Sequence, residues 1–385
     1  MMKNSFRRGI AVWQPYFRGG GAEAVALWIL EALSNEFDVT LYTLLPVDFS
    51  YLNSMYGTQL ELEQVKVVHS LPDWCSQAVY ALMNRHAVIR TVCTYLTIKR
   101  LKQDALKYDL LFSAFNAVDM GNPGIQYVHW INVVENRSAT AEYWIKGLMK
   151  WVNFSYENLE HNLTLANSKC TASFVKKCYG IDSQVVYPPV VTQIDACPWM
   201  EKEQAFLCSG RIIKAKQPHR IIEILKEVRE RGFDVKLHIT GGGGGKYETE
   251  YLSKVVELAQ QNADWIHLHQ DLPYSDYIKI LERCRYGIHY KSEPFGISVA
   301  EMLKAGMIPF VRSRGGQVEI VGEENVELLF KDDADAVEKI VQVLKNIPLQ
   351  EQLRKVLGVR QELFSTDKFT HDIQSVVSNY LINRH

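Results

Sequence analysis

One stretch of this 385-residue chain decides the fold prediction: Lys291-Ser292-Glu293-Pro294-Phe295-Gly296-Ile297-Ser298-Val299-Ala300-Glu301. It follows a short apolar run of β type at 286–290. It also opens a helical pattern that continues to Lys304, before Gly306 ends it. A strand, a tight loop and a helix N-terminus in this order predict one unit of an α/β sheet.

The stretch also predicts a ligand. Backbone amides at a helix N-terminus lack partners within the helix and attract anions, so we expect the backbone at Phe295, Gly296 and Ile297 to bind phosphate. Carboxylates repel phosphate but accept hydrogen bonds from paired hydroxyls. We therefore expect Glu301 to hold a ribose and Glu293 to hold the group beyond the phosphates. A sugar–diphosphate–ribose molecule fits this arrangement.

Two glutamates separated by seven residues, with Phe-Gly between them, resemble the hallmark of retaining glycosyltransferases of family 4. The following runs at 305–309 and 314–316 are similar to that family as well. The resemblance implies the GT-B fold, an α/β protein with two Rossmann-like domains facing each other across a cleft. Val185–Pro189 and Glu293–Ile297 resemble lipid-linked oligosaccharide mannosyltransferases in particular, which makes GDP-mannose the first donor to expect.

The length and the order of the predicted elements indicate two domains. Strands and helices alternate over 9–187 and again over 205–283, and Pro188-Pro189 interrupts the pattern between them. We predict an acceptor-side domain at 1–190 and a nucleotide-sugar domain at 191–365. The resemblance implies that a last helix, at 366–385, returns to the N-terminal domain.

Composition restricts the partners and the location. With 43 basic and 44 acidic residues, bulk charge gives no reason to expect nucleic acid. Seven cysteines without paired spacing predict reduced thiols in a cytoplasmic protein, and no zinc site is expected. No apolar run is long enough to span a bilayer. The family resemblance implies transfer without a cofactor or a metal.

A glycine-rich loop, Gly19-Gly20-Gly21-Ala22-Glu23, lies between a predicted strand at 9–13 and a predicted helix. It offers backbone donors without intervening side chains. The loop resembles the one that lies across the cleft from the donor phosphates in family 4, which implicates Gly20 and Gly21. A dinucleotide site is an alternative because Gly19, Gly21 and Ala24 match its pattern, and a purely structural turn is another.

Two basic residues follow the strand predicted at 205–209. Arg211 and Lys216 are placed to neutralise a diphosphate and to stabilise it as a leaving group, although surface charges without a role are an alternative. The family has a glycine-rich loop after the next strand, which implicates Gly241 and Gly242 at the start of the run 241–245. Leu272 matches the position where relatives contact the base.

His129 ends a predicted strand at 125–129, where a side chain of an α/β sheet faces the ligand crevice. It resembles the histidine that approaches the transferred sugar in family 4. A structural histidine is the alternative. The expected catalytic residues are His129, Arg211, Lys216 and Glu293.

Residues 78–107 are rich in helix formers, basic residues and apolar residues. Such a surface suits anionic lipid, so we expect it to dock peripherally on the inner face of a membrane. A core helix with a solvated basic side is the alternative.

The expected activity is retaining transfer of a sugar, mannose first, from a nucleotide diphosphate sugar to a glycan or lipid-linked acceptor hydroxyl. Such a reaction belongs to glycan, polysaccharide or glycolipid assembly. Two alternatives on the same fold are a nucleotide-sugar epimerase and a binding protein without catalysis. An NAD-dependent oxidoreductase is a third, but it leaves Arg211, Lys216, Glu293 and Glu301 unexplained.

Overall fold

The structure, a computed structural model, describes residues 7–17, 20–130, 143–190, 194, 197–242 and 249–383. The chain forms two compact units, Met1–Val191 with Thr366–His385, and Thr192–Ser365. We call them unit 1 and unit 2. Each contains one parallel sheet, so the predicted α/β class is confirmed. Residues 191–193 and 195–196, directly after the predicted domain boundary, lie outside the described residues.

Unit 1 contains a seven-stranded sheet in the order β3-β2-β1-β4-β5-β6-β7. The strands are β1 (Gly9–Trp13), β2 (Asp38–Thr43), β3 (Val65–His69), β4 (Leu110–Ser113), β5 (Ile125–Val128), β6 (Leu163–Ala166) and β7 (Ser183–Val185). The helices are α1 (Gly21–Ser34), α2 (Phe49–Tyr56), α3 (Ser76–Arg85), α4 (Ala87–Asp104), α5 (Tyr143–Trp151), α6 (Tyr156–Glu160), α7 (Lys169–Tyr179) and, at the chain end, α15 (Thr366–Asn383). Helix α15 packs on α1, and its Phe369, Ile373 and Val377 belong to the core of this unit.

Unit 2 contains a six-stranded sheet in the order β10-β9-β8-β11-β12-β13. The strands are β8 (Glu203–Ser209), β9 (Lys236–Thr240), β10 (Ile266–His269), β11 (Cys284–His289), β12 (Ile308–Arg312) and β13 (Leu329–Phe330). The helices are α8 (Pro218–Glu230), α9 (Thr249–Gln261), α10 (Tyr274–Arg283), α11 (Ile297–Lys304), α12 (Gln317–Val321), α13 (Asp333–Lys345) and α14 (Ile347–Arg360).

The sequence explains where several of these elements begin and end. Val25, Ile29 and Leu33 recur at helical spacing in α1, and all three are buried. Pro218 opens α8, where its missing N–H costs nothing. The Asp332 side chain caps α13 by accepting a hydrogen bond from the Asp335 amide. Interior strands such as β1 read as apolar runs because helices cover both faces of a parallel sheet.

The strand orders locate the ligand-binding edge of each sheet. In both units the order reverses beside the first strand, between β1 and β4 in unit 1 and between β8 and β11 in unit 2. Ligands of open α/β sheets bind at such a switch point, beyond the carboxyl ends of the strands. The loops after β8 and β11 are therefore the first place to search in unit 2. None of the helices in the described part of the chain has the length and apolar character to cross a bilayer.

Candidate functional site

An ion pair joins the loops after β8 and β11. Lys216 Nζ lies 2.8 Å from Glu293 Oε1, and the two side chains are only 20% and 14% exposed. The Lys216 side chain passes close to Gly210, where an added Cβ would lie 3.1 Å from Nζ. Gly210 also has a φ of 125°, which only glycine adopts readily. The fold therefore brings two of the predicted catalytic residues, Lys216 and Glu293, together at the switch point of unit 2.

Two further basic side chains lie near the Glu293 carboxylate. Lys291 Nζ lies 3.1 Å from its Oε2, and His289 Nε2 lies 3.8 Å from its Oε1. Burial alone would raise the pKa of Glu293, but the His289 imidazole and the Lys216 ammonium hold that pKa well below its usual range. Burial also lowers the pKa of His289. Glu293 is therefore a stable anion at neutral pH.

The N-terminus of α11 lies directly after this carboxylate. Gly296 is the N-cap residue, with a φ of 108°. The Phe295 ring is buried, with its centroid 5.7 Å from that of Phe364, so its side chain packs in the core and only its backbone is placed to meet a ligand. Ile297 is 39% exposed. The geometry thus supports a backbone role for these residues rather than a side-chain role.

Glu301 lies one turn into α11 and is linked to β8. The Tyr277 hydroxyl donates to Glu301 Oε2 at 2.7 Å, and Ser209 Oγ donates to the Tyr277 hydroxyl at 3.2 Å. Burial raises the pKa of Glu301 to about 7, although the Tyr277 hydrogen bond opposes this rise. The charge of Glu301 therefore changes near neutral pH.

The predicted donor-side glycines are packed between loops. The Gly210 amide donates to Thr240 O at 3.0 Å, and an added Cβ at Gly241 would lie 2.2 Å from Gly210 O. An added Cβ at Gly242 would lie 2.3 Å from Asp271 Oδ1. Gly241 is therefore required for close packing of the loops at this edge, whereas a side chain at Gly242 would only displace the Asp271 carboxylate. The rest of the glycine run, 243–245, lies outside the described residues.

Arg211 and Leu272 complete the predicted set in unit 2. The Arg211 side chain is exposed and forms no hydrogen bond or ion pair with the part of the chain that the structure describes. Its charge is therefore available to a ligand. Leu272 is half-buried in the loop after β10, next to Asp271, whose φ is 50°.

His129 lies at the switch-point edge of unit 1. Its Nε2 lies 2.9 Å from Ala114 O, so Nε2 carries the proton and Nδ1 is the remaining acceptor. Burial lowers the pKa of His129 to about 4, so the ring is neutral at pH 7. Asn116 Oδ1 accepts the amides of His129 and Trp130 at 2.7 and 3.0 Å and fixes this loop.

The glycine-rich loop of unit 1 is described from Gly20 onward. The Gly20 amide donates to the Tyr56 hydroxyl at 2.7 Å, so this donor already has a partner. An added Cβ at Gly21 would meet no atom within 4 Å, which leaves open space in front of the α1 N-terminus. Gly19 of the dinucleotide-like pattern lies outside the described residues.

The basic segment at 78–107 is helical, in α3 and α4, but much of its charge is neutralised within unit 1. Lys102 pairs with Asp119 at 2.6 Å, and both Arg100 and Lys107 pair with Asp104. The available positive charge is therefore smaller than the sequence suggests.

Apolar side chains are exposed around this segment instead. Lys99 Nζ lies 4.0 Å from the centre of the Trp151 ring, which joins α4 to α5. The exposed apolar residues include Trp74, Leu82, Val88 and Val92. Arg85 is exposed among them and has no ion pair with the described residues.

Metal ligands are scarce in the described part of the chain, where no three histidine, cysteine or carboxylate side chains are arranged to hold an ion. An Asp-x-Asp pattern does occur, at Asp333–Asp335. Asp333 accepts hydrogen bonds from Arg220 and from the Tyr290 hydroxyl, at 2.9 and 2.6 Å. Asp333 therefore connects the start of α13 to neighbouring side chains.

Sequence reasoning missed the residues that hold the predicted ones. These are His289 and Lys291 beside Glu293, Tyr277 beside Glu301, and Gln317, which binds the backbone of the 291–293 loop. His289 lies four residues before Glu293 and Lys291 only two, so their spacing held a signal. Tyr277 gave none, because its contact with Glu301 depends on how α10 and α11 pack.

Parts of this chain are similar in sequence to known glycosyl transferases. The profile of the family described as "Glycosyl transferases group 1" matches residues 192–356. A GDP-Man:Man(3)GlcNAc(2)-PP-Dol alpha-1,2-mannosyltransferase of Neurospora crassa is 27% identical over 197 residues, 43% of this chain and 35% of that protein. The Dictyostelium discoideum protein of the same name is 23% identical over 245 residues, 57% of this chain and 48% of that protein. The chain thus spans about a third to a half of the length of these relatives.

A solved structure shows the same fold. The structure of Anabaena Alr3699/HepE in complex with UDP and glucose matches 97% of this chain and 100% of that chain, with a TM-score of 0.67 and 16% identity. At this identity the likeness concerns the fold alone. Residues 192–356 thus match the profile of the group 1 glycosyl transferases, in a chain that has the GT-B fold.

Proposed function

We propose that this protein is a retaining glycosyltransferase that moves a sugar from a nucleotide diphosphate sugar to an acceptor hydroxyl, in glycan, polysaccharide or glycolipid assembly. The observation that carries the proposal is the Lys216–Glu293 ion pair at the switch point, directly before the N-terminus of α11. A cation, a carboxylate and free helix amides together match the phosphates and hydroxyls of such a donor.

The phosphate role falls to Lys216, Arg211 and the amides at Gly296 and Ile297. Negative charge grows on the diphosphate as the bond to the sugar breaks, and fixed positive groups stabilise it more strongly then than before. Arg211 has no partner among the described residues, and Lys216 has only to exchange Glu293 for a phosphate oxygen.

The hydroxyl roles fall to the carboxylates. Glu293, once Lys216 turns to phosphate, accepts hydrogen bonds from the sugar and faces its developing positive charge. Glu301, held by Tyr277, accepts the ribose hydroxyls. His129 is neutral with Nε2 engaged, so it meets a sugar hydroxyl as an acceptor through Nδ1.

The donor we propose first is GDP-mannose. The relatives in Neurospora crassa and Dictyostelium discoideum are named for GDP-Man, which supports this choice. The Anabaena structure holds UDP and glucose, which makes UDP-glucose the second donor to test.

The acceptor we propose is a glycan or a lipid-linked glycan, as the names of the relatives indicate for those proteins. Unit 1 contains a cavity of about 470 Å³ beyond the carboxyl ends of β1 and β2. Its lining includes Phe17, Val47, Tyr51, Leu52, Met55 and Tyr80. Aromatic and apolar walls with a few polar groups are typical of small-molecule sites, so we assign the acceptor to this cavity.

The location we propose is peripheral, on the cytoplasmic face of a membrane. The exposed apolar residues of α3 and α4, together with Arg85, support docking on anionic lipid. We propose no metal and no cofactor, and transfer is therefore expected to be unchanged by EDTA. Nucleic acid is not among the proposed partners.

The test is incubation with GDP-mannose and UDP-glucose, with and without free and lipid-linked oligosaccharides. NMR of the product identifies the anomer, and the proposal requires acceptor-dependent transfer with retained configuration. An epimerase would convert the donor without an acceptor. A binding protein would leave the donor intact, and either result would replace the proposed reaction.

A further inference from the structure

Gln317 is a buried glutamine that binds the loop carrying Glu293. It is the first residue of α12 and is fully shielded from solvent. Its Oε1 accepts the Glu293 amide at 2.9 Å, and its Nε2 donates to Lys291 O at 3.2 Å. The same Nε2 lies 2.5 Å from Arg314 O and 3.3 Å from Arg312 O. One side chain therefore joins the loops after β11 and β12.

The backbone around Gln317 makes this junction close. The Gly316 amide donates to Glu293 O at 2.7 Å, and an added Cβ at Gly316 would lie 2.0 Å from Pro294 O. An added Cβ at Gly315 would lie 2.7 Å from Glu293 O. Both backbone polar groups of Glu293 are thus held from the β12 side.

We propose that Gln317 is a positioning residue that fixes the Glu293 carboxylate for the transferred sugar. This inference rests on the proposed function. Lys216 and Lys291 bind the two carboxylate oxygens, but both are long side chains that follow wherever the carboxylate moves. The backbone of Glu293 has no such freedom while Gln317 holds its amide. Misplacement of a reacting group by about 1 Å costs roughly 10²-fold in rate, which makes this restraint important.

The consequence differs from a general loss of stability. An apolar residue at 317 leaves the Glu293 amide and the Lys291 carbonyl without their partner, so the 291–293 loop relaxes. The ribose and phosphate contacts proposed for Glu301 and Lys216 do not pass through Gln317. We therefore expect turnover to fall while nucleoside diphosphate affinity changes little.

Gln350 provides a matched control in the same unit. It is also buried, and its amide group donates to Val343 O at 3.0 Å and accepts from the Tyr286 hydroxyl at 3.1 Å. None of these partners belongs to the proposed site. Gln317→Met and Gln350→Met each replace a buried amide by an apolar side chain of similar shape, so both are expected to lower thermal stability.

The experiment compares these variants by turnover, nucleoside diphosphate affinity and backbone hydrogen exchange. For Gln317→Met we expect roughly 10²-fold lower turnover, affinity within about twofold of wild type, and faster exchange over 290–293. Gln350→Met should keep wild-type turnover and wild-type exchange in that segment. The double variant Glu293→Gln/Gln317→Met should be no slower than Glu293→Gln alone, because both changes remove the same contribution.

Gln317→Asn is the second variant, because it keeps an amide and buries no charge, so it is expected to fold even if Gln317→Met does not. Its shorter side chain weakens the contacts with the Glu293 amide and the Lys291 carbonyl, and we expect turnover between those of wild type and Gln317→Met. Additive losses in the double variant, or unchanged exchange over 290–293, overturn the positioning role. If the wild type transfers no sugar, the proposed function fails, and the exchange comparison alone still decides whether Gln317 holds the Glu293 loop.

Discussion

Lys216 Nζ and Glu293 Oε1 form an ion pair at 2.8 Å that connects the loop after β8 with the loop after β11. A diphosphate bound at this edge competes with Glu293 for Lys216. The exchange leaves Glu293 with Lys291, 3.1 Å away, so its charge is never without a partner. Binding of the phosphates and release of the carboxylate toward the sugar are thus one event in this account.

Removal of Lys216 tests the phosphate role. Lys216→Ala is expected to lower turnover by roughly 10²–10³-fold, the usual effect of deleting one donor to a developing anion. Lys214, exposed in the same short turn, provides the control variant Lys214→Ala, which removes equal charge. Steady-state kinetics with the best donor measure both. Equal, small effects in the two variants would show that general charge, and not Lys216, binds the leaving group.

The two carboxylates are expected to give different kinetic results. Glu301→Gln should weaken the nucleoside diphosphate and the intact donor by a similar factor, since ribose is held equally in ground and transition states. Glu293→Gln removes the competitor for Lys216, so it should leave diphosphate affinity unchanged or raise it, and it should depress turnover. Calorimetry with the diphosphate and kinetics with the donor make the comparison. Equal losses of diphosphate affinity would refute this division of roles.

The raised pKa of Glu301 predicts how stability depends on pH. Because this pKa lies at about 7 rather than 4.5, the folded state binds a proton that the unfolded state releases. The contribution is fully present below pH 4.5 and is lost as pH rises through 7. Glu301→Gln has no such loss, so at pH 8 it should be more stable than wild type, by at most roughly 3 kcal/mol. Denaturant titrations at pH 5 and pH 8 test this, and an equal difference at both pH values would contradict it.

The same pKa predicts nucleotide affinity. Ionised Glu301 accepts both ribose hydroxyls, so nucleoside diphosphate should bind more tightly to the wild type at pH 8 than at pH 6. Phosphate ionisation contributes as well, but it acts equally on Glu301→Gln. The excess pH dependence of the wild type over that variant, measured by calorimetry, is the predicted quantity, and its absence would show that Glu301 does not meet the ribose.

Membrane docking is expected to depend on the apolar face more than on charge. Val88→Glu/Val92→Glu places two charges on the exposed side of α4 and should weaken sedimentation with anionic vesicles. The control is Ile347→Glu/Val359→Glu, which alters two even more exposed apolar residues of α14. Wild-type protein that ignores such vesicles even at low salt would remove the membrane from the account.

Most of the fold was predictable because strand and helix periods alternate clearly in both halves. Strand β3 is hard to predict because Val65–His69 includes Lys66 and is only partly buried, so it lacks the apolar run of the inner strands. The first strand beyond the Glu301 helix, β12, is hard to predict as well, because Pro309 interrupts an otherwise apolar run.

The site was predictable only where chemistry follows the chain. Glu293, Lys216 and Arg211 could be chosen because each follows a strand that ends at one sheet edge. The residues that hold the site carboxylates in place could not be predicted. In sequence, a buried glutamine such as Gln317 or a tyrosine such as Tyr277 looks like any other core residue. The available positive charge of the segment at 78–107 is overestimated from sequence for a related reason. The ion-pair partners of Lys102 and Lys107 become visible only in the structure.

Binding of a nucleoside diphosphate to unit 2 tests the central claim most directly. Thermal shifts should be measured for wild type and Lys216→Ala with UDP, GDP, ADP, CMP and NAD. We predict that one nucleoside diphosphate, GDP first, stabilises the wild type by about 2.7 kcal/mol at 100 times its dissociation constant, and that the variant needs far more of it. Stabilisation by NAD alone, or by none of the five, would contradict the account.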